Sequence, residues 1–313
     1  MLKREFKGYN GKKFGKDVLA GVTVAAVALP LALAFGVSSG ATAASGLVTA
    51  IISGLIIGAL SGASYQISGP TGAMTAILVS LVAQYGMQGV FIASLLAGII
   101  LLLCGIFKLG GLVSYLPSPQ SFNLTAFIIG VCVIVFMFVY PQKLSQYCPG
   151  SLAAIILATA ANFIFNFDVS VVGEIPKTIF LADRLDITKI NFSEFGNFVV
   201  PAVSIAALGL IESLLCGASA GRMKNEKLNA DIELTAQGIG NILLPFFGGV
   251  PATAAIARTS VAIKSGGETR LTSVIHAVVL LLSMFVLGGV MSMIPLSALA
   301  GVLIVTAWRM NEW

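Results

Sequence analysis

The sequence predicts an all-α polytopic membrane protein, and three observations carry that reading. Of 313 residues, 57% are hydrophobic and only 10% are charged, with a mean hydropathy of +0.98. A soluble domain carries about 25% charged residues, so this chain has too little polar surface to face water. Its apolar residues fall into runs close to the ~20 residues that cross a bilayer as a helix. Two of those runs are short and open on glycine and proline, at Gly69-Pro70-Thr71-Gly72 and Gly248-Gly249-Val250-Pro251.

Taken in order, the apolar runs lie near 18–37, 43–63, 70–85, 89–108, 122–140, 150–167, 199–219, 232–247, 252–264, 272–290 and 293–308, about eleven transmembrane segments. Before the first, Lys3, Arg4, Lys7, Lys12, Lys13 and Lys16 outnumber Glu5 and Asp17. The positive-inside rule then makes residues 1–17 a basic cytoplasmic N-terminus and 18–313 a multi-pass domain of the cytoplasmic membrane. Ala41-Thr42-Ala43 resembles a signal-peptide cleavage site, but the apolar region from Val18 is too long for one and further spans follow. Ser53, Gly54, Gly58 and Gly62 place small residues on one helix face, as close packing in lipid requires. The interval 168–197 mixes Asp183, Arg184, Asp186 and Lys189 with Phe180 and Ile187 and reads as a membrane-surface loop. The interval 220–231, with Arg222, Lys224 and Lys227, reads as cytoplasmic.

The two interrupted runs share a pattern: a β-prone or glycine-rich approach, a proline suited to a first helical turn, then small residues. Pro30 precedes Pro70 by 40 residues and Glu212 precedes Pro251 by 39, each two segments upstream. Interrupted segments at matching places in two halves point to a transporter's binding site, against the alternative of coincidence among glycine- and alanine-rich helices. A helix that starts inside the membrane exposes about four unbonded N–H groups and the positive end of its dipole. Two such starts facing each other form a dry, positively polarised pocket that an anion satisfies.

Ionisable residues inside apolar runs are functional candidates. Glu212 sits at mid-membrane in the run 201–220, with Cys216 one turn on, and Arg258 lies on the segment after Pro251. Two readings stay open for Glu212 and Arg258: a buried structural ion pair, or a coupling-cation carboxylate beside a guanidinium that supports the anion field. His276, near the start of its span, is expected at the membrane interface. Cys104, Cys132, Cys148 and Cys216 lack metal-ligand spacing and read as small core residues. One histidine, with no HExxH, Walker A or GxSxG sequence, argues against an enzyme. Nothing in the composition points to nucleic acid as a partner; the expected partners are a small anion and the lipid bilayer.

The stretches DVLAGVTVAAVALPLALAFG (17–36), YQISGPTGAMTAI (65–77), GLIESLLCGASA (209–220) and QGIGNILLPFFGGVPATAAIART (237–259) resemble the SulP family of sulfate permeases, bicarbonate and dicarboxylate transporters and animal anion exchangers. The resemblance implies a 7+7 inverted-repeat, uracil-permease-like fold, with half-helices as its third and tenth helices. It implies an anion site lined by Leu31 and Phe35, by Thr71, Gly72 and Ala73, and by Ala254, Ala255, Ile256, Ala257 and Arg258. Family members often have a polar residue where Leu31 stands, so Phe35 and the backbone amides carry more of the site here. Glu212 matches the family's coupling position for Na+ or H+. Sodium-coupled relatives can have a hydroxyl residue where Cys216 stands, and thiol sulfur suits a hard cation poorly, which favours H+ or a structural Glu212. No cofactor is implied beyond that coupling ion, and a homodimer is implied, less a contact usually made by the STAS domain.

The implied domains are first-repeat core helices at 18–108, gate helices at 122–167, second-repeat core helices at 199–290, and the first helix of an incomplete second gate at 293–308. The family's fifth helix is expected to be missing after SYLPSP (114–119), and its last two helices and STAS domain after TAWRMNEW (306–313). Counting spans from a cytoplasmic N-terminus then forces the basic 220–231 loop to the outside. The implied function is secondary transport of sulfate, bicarbonate or a dicarboxylate by alternating access; the alternative is a non-transporting module or an anion-binding or leak remnant.

Overall fold

Backbone groups in lipid must find partners within the protein, so each apolar run closes into a helix. The computed structural model describes residues 5–107, 124–141, 149–165, 169–190 and 192–310. Its helices are α1 (Gly11–Ser38), α2 (Ala43–Leu60), α3 (Gly72–Ile106), α4 (Leu124–Val139), α5 (Gly150–Phe165), α6 (Val199–Lys224), α7 (Ala230–Phe247), α8 (Ile256–Lys264), α9 (Leu271–Met291) and α10 (Leu296–Met310). Two short strands, β1 (Ser68–Gly69) and β2 (Thr253–Ala254), precede α3 and α8. Among the described residues, five helices are long and apolar enough to cross a membrane: α1, α2, α3, α6 with the turn before it, and α9. The expected runs 70–85 and 89–108 are the two arms of α3, separated at Gly86, whose φ of 64° and ψ of −170° redirect the chain. That left-handed geometry is one glycine adopts without steric cost. SYLPSP (114–119), Cys148 and residues 311–313 lie outside the described residues.

The helix starts at the protein's ends are capped. Asn10 accepts from the Lys13 N–H at 3.1 Å, Thr42 from Ser45 at 3.0 Å and Asn229 from Ile232 at 3.1 Å. Each satisfies one of the donors that a helix start leaves open.

Polar contacts sort the connections into two faces. On the face of the N-terminus, Lys16 pairs with Glu268 at 2.6 Å, Lys224 donates to Gly267 O and Glu268 O at 3.0 and 2.7 Å, and Asn229 N donates to Gly62 O at 3.0 Å. On the other face, segment 169–190 crosses the helix ends. Val172 N donates to Ile294 O, Leu181 N to Phe247 O, and the Gln88 amide to Arg184 O. The 220–231 connection therefore lies on the same face as the N-terminus, and the expectation that it is forced to the opposite side is overturned. The reason is local: Lys224, Glu226 and Asn229 are bound to the loops at 61–64 and 265–270.

These contacts also give the direction of every core helix. α1 leaves the N-terminal face, α2 returns to it, the first arm of α3 leaves from mid-depth, and the second arm returns. α6, α7, α8 and α9 repeat that series in the opposite sense, α6 arriving at Lys224 and α9 leaving from Arg270. This is the inverted repeat within an all-α polytopic membrane fold. α3 packs most extensively along α7 and α6, and α9 along α1 and α2.

Small residues set the closest crossings, as the glycine content implies. Gly54 and Gly58 of α2 face Ser273, His276 and Ala277 of α9, and the Ser273 hydroxyl donates to Gly54 O at 3.1 Å. At the α1–α2 turn, a Cβ on Gly46 would lie 2.0 Å from Ala32 O and 2.8 Å from the Gly36 backbone. Gly46→Ala must therefore push the two helices apart. It is expected to cost at least the ~1–3 kcal/mol typical of overpacking, read as a lowered unfolding temperature in detergent, and an unchanged temperature refutes the contact.

Candidate functional site

At mid-depth β1 and β2 pair antiparallel, with Ser68 opposite Ala254 and Gly69 opposite Thr253. Neighbouring groups complete the satisfaction of these two interrupted stretches. Ala255 N donates to Ile67 O at 2.9 Å, Ile67 N to Thr259 Oγ1 at 3.0 Å, and Ala254 N to Ser213 Oγ at 3.3 Å. Asn241 clasps Ala252, accepting from its N–H at 2.8 Å and donating to its carbonyl at 2.9 Å.

The prolines do not open the helices. α3 begins at Gly72, two residues after Pro70, and α8 at Ile256, five after Pro251. The intervening residues are drawn into the strand pair, which satisfies backbone groups that a helix start at the proline would leave open. Neither half-helix has a side-chain cap. Ala255 has no group to offer, and the Thr71 hydroxyl is diverted to Glu212. The first turns at Gly72–Met74 and Ile256–Arg258 thus present open N–H groups where the strands cross.

Glu212, on α6, is held by both half-helix approaches at once. Its Oε2 accepts from Thr71 Oγ1 at 2.7 Å and Thr253 Oγ1 at 2.6 Å, and the two hydroxyls lie 3.4 Å apart. Arg258 is 1% exposed and donates from Nη2 to Pro70 O at 2.5 Å, while Nη1 is buried with no hydrogen-bond partner. Glu212 and Arg258 form no ion pair, so each charge ties α8 or α6 to the approach of α3. Phe35 of α1 lies over Gly72, where a Cβ would meet its Cε1 at 3.1 Å.

Of the expected lining residues, Phe35, Thr71, Gly72, Ala73, Ala254, Ala255, Ile256, Ala257 and Arg258 converge on this crossing. Gly72 and Ile256 are its exposed members, and Ala254 is buried in the strand pair. Leu31 is 3% exposed within the apolar cluster of α1, α2 and α9. Cys216 is buried, and its thiol donates to Thr259 Oγ1 at 3.4 Å instead of joining the hydroxyls around Glu212. His276 is fully buried and not at an interface, because Gly54 leaves room for its ring against α2. Both its ring nitrogens lack a hydrogen-bond partner.

Several site residues went unnoticed in the sequence. Thr253 supplies one of the two bonds to Glu212. Glu233, Gln237 and Asn241 form a fully buried stripe on α7: Gln237 donates to Ser68 Oγ at 3.1 Å and to Glu233 Oε1 at 2.9 Å. Their i, i+4, i+8 spacing on an apolar helix was the available signal.

Two uncapped half-helices, braced by a strand pair beside a buried acid and base within an inverted repeat, define the core of a membrane transporter rather than an enzyme. The sulfate permease family model matches residues 14–137 and 118–313, and the chain belongs to that family. It is 35% identical over 358 residues to "Putative sulfate transporter YvdB" of Bacillus subtilis, covering 98% of this chain and 66% of that protein. It is 29% identical to "Bicarbonate transporter BicA" of Picosynechococcus, over 95% of this chain and 62% of that protein. The solved transmembrane domain of a cyanobacterium bicarbonate transporter BicA superposes with a TM-score of 0.87 at 26% identity, covering 97% of this chain and 90% of that one. The chain thus spans about two thirds of the relatives it matches.

Thr253 is expected to carry a measurable share of the brace. Thr253→Val removes a donor to Glu212 and should cost ~1–3 kcal/mol in detergent unfolding, whereas Thr253→Ser, which keeps the hydroxyl, should cost much less. Equal losses in the two variants would assign the effect to packing.

Proposed function

We propose that this chain is the membrane core of a secondary transporter for a small anion, of the sulfate, bicarbonate or dicarboxylate class. The observation that carries the reading is the pair of uncapped half-helix starts meeting at mid-depth. Their open N–H groups and dipole ends favour negative charge, and Arg258 adds a full positive charge just behind them. Small residues at 71–73 and 253–255 leave the backbone approachable, and Phe35 forms an apolar wall.

Alternating access supplies the mechanism: the crossing, with its anion, is exposed to one side of the membrane and then to the other. Glu212 is the coupling group. Thr71 and Thr253 put two hydroxyl oxygens beside its carboxylate, a hard donor set suited to Na+, and the same carboxylate can take up H+. Cys216 has no part in that set. The N-terminal face is assigned to the cytoplasm of the cell's inner membrane, because Lys7, Lys12, Lys13, Lys16, Arg222, Lys227 and Lys264 gather there. A homodimer is part of the proposal on family grounds.

A second reading, anion binding without flux, has its own support. The family match falls into two pieces that overlap at 118–137, and the alignment to the YvdB protein is several dozen positions longer than the part of this chain it covers. A stretch of the relatives has no counterpart in the middle of this chain.

Uptake of radiolabelled sulfate or bicarbonate into proteoliposomes separates these readings. Saturable uptake is expected, lowered at least about tenfold by Arg258→Ala, since removing a buried charged partner costs several kcal/mol. Glu212→Gln is expected to abolish the dependence on a Na+ or pH gradient. Uptake indifferent to both changes overturns the site; binding without uptake favours the second reading.

A further inference from the structure

The contacts made by loop 265–270, at the far end of α8, go beyond what packing a surface turn requires. Asp17 at the base of α1 is fully buried. Its Oδ1 accepts from Glu268 N at 2.6 Å, Thr269 N at 3.0 Å and Thr272 Oγ1 at 3.0 Å; its Oδ2 accepts from Thr269 Oγ1 at 2.5 Å and Tyr9 OH at 2.8 Å. Glu5 accepts from Arg270 N at 2.8 Å and from its guanidinium at 2.7 and 2.9 Å, an ion pair only 7% exposed on either side. α9 has no cap from its own N-cap residue, Arg270. Its start is capped by carboxylates contributed from residues 5 and 17.

The same six residues reach two more helices. Lys224, at the end of the helix that bears Glu212, donates to Gly267 O and Glu268 O. Arg270 Nη1 donates to Ala59 O at 2.9 Å and Ser61 O at 3.1 Å, closing the last turn of α2. Lys13 and Lys16 bracket Glu268 at 3.3 and 2.6 Å. The hydrogen bond from Lys16 holds the Glu268 carboxyl below its ordinary range. That support is present above pH ~4.5 and fades as the pH falls below it.

Every element of the anion crossing except α3 therefore ends on one loop: α1 through Asp17, α6 through Lys224, and α8 by direct continuation. A nine-residue helix is too short to hold its own position, since isolated helices below ~12 residues are marginal in water. We propose that Asp17, Glu5 and Lys224 are positioning residues of the anion site, acting through loop 265–270 to fix α8 relative to Phe35 and Glu212. The N-terminal segment 5–17 is then a working part of the site, although it touches no ligand. Its effect on anion affinity rests on the anion-site reading above; its effect on α8 does not.

Hydrogen exchange read by mass spectrometry on the full chain in detergent, without added anion, tests the positional claim. Asp17→Ala should raise exchange across 256–272 about tenfold or more and leave 90–104 of α3 within about twofold. Asp17→Asn, which keeps one acceptor oxygen, should fall between. Should Asp17→Ala not fold, Glu5→Gln and Lys224→Ala serve in its place with the same expected pattern. Unchanged exchange over 256–264, or a rise spread evenly over the chain, overturns the proposal. In parallel, the Kd for sulfate should rise about tenfold in Asp17→Ala with an unchanged number of sites, and an unchanged Kd alongside loosened α8 overturns the link to the anion site. A wild-type chain that does not bind sulfate bears on the functional reading alone, because the exchange result does not depend on it.

Discussion

The architecture depends on one constraint: a backbone that stops being helical at membrane depth must find partners for the groups it releases. The chain does this twice, at residues 67–71 and 252–255, and it does so in one place. Pairing β1 with β2 lets each interruption satisfy much of the other. Asn241, Ser213 and Thr259 take up groups the short ladder leaves over. The polar stripe on α7 has the same origin, since Gln237 reaches Ser68 from the opposite side of the strands. What stays open is confined to the first turns of α3 and α8. Those groups are the useful ones, because donors left unpaired by protein are available to a ligand.

The two buried charges follow the same economy. Had Glu212 and Arg258 paired, the field at the crossing would have been largely cancelled. Instead Glu212 is held by hydroxyls from both half-helix approaches, and Arg258 by the carbonyl of Pro70. Each charge is thereby tied across the repeat boundary, α8 to the approach of α3 and α6 to both. The positive field of Arg258 adds to the two helix dipoles, while Glu212 stands beside hydroxyl oxygens that suit a cation.

Much of this was legible in the sequence because lipid enforces a strict code. Runs of ~20 apolar residues gave the helices, and all eleven expected runs correspond to helical arms once α3 is divided at Gly86. The interruptions were legible from Gly69-Pro70 and Gly249-Val250-Pro251. Their geometry was not, because strand pairing between residues almost two hundred positions apart leaves no local periodicity. Thr253 was hidden for the same reason: a threonine in a small-residue run has no signature until Glu212 is beside it. His276 was misplaced because its depth depends on Gly54 of another helix. The face assigned to 220–231 failed because span counting ignored the bonds of Lys224 and Asn229. Asp17 read only as a minor acid in a basic tail, since nothing local reveals that five donors converge on it.

The two half-helices are supported unequally, and this explains why the chain's polar residues are so unevenly spread. The arm of α3 that starts at Gly72 continues through Gly86 into a second arm packed along α7, so packing alone holds it. α8 has nine residues and no such continuation. A helix that short is fixed only if both ends are anchored, at its start by the strand pair and Arg258, at its finish by the loop that Asp17, Glu5 and Lys224 grip. The second repeat accordingly needs acids and bases where the first needs only glycine and leucine. Segments 5–17 and 224–233, which a hydropathy reading treats as cytoplasmic trim, are the anchors that a short half-helix obliges the protein to keep.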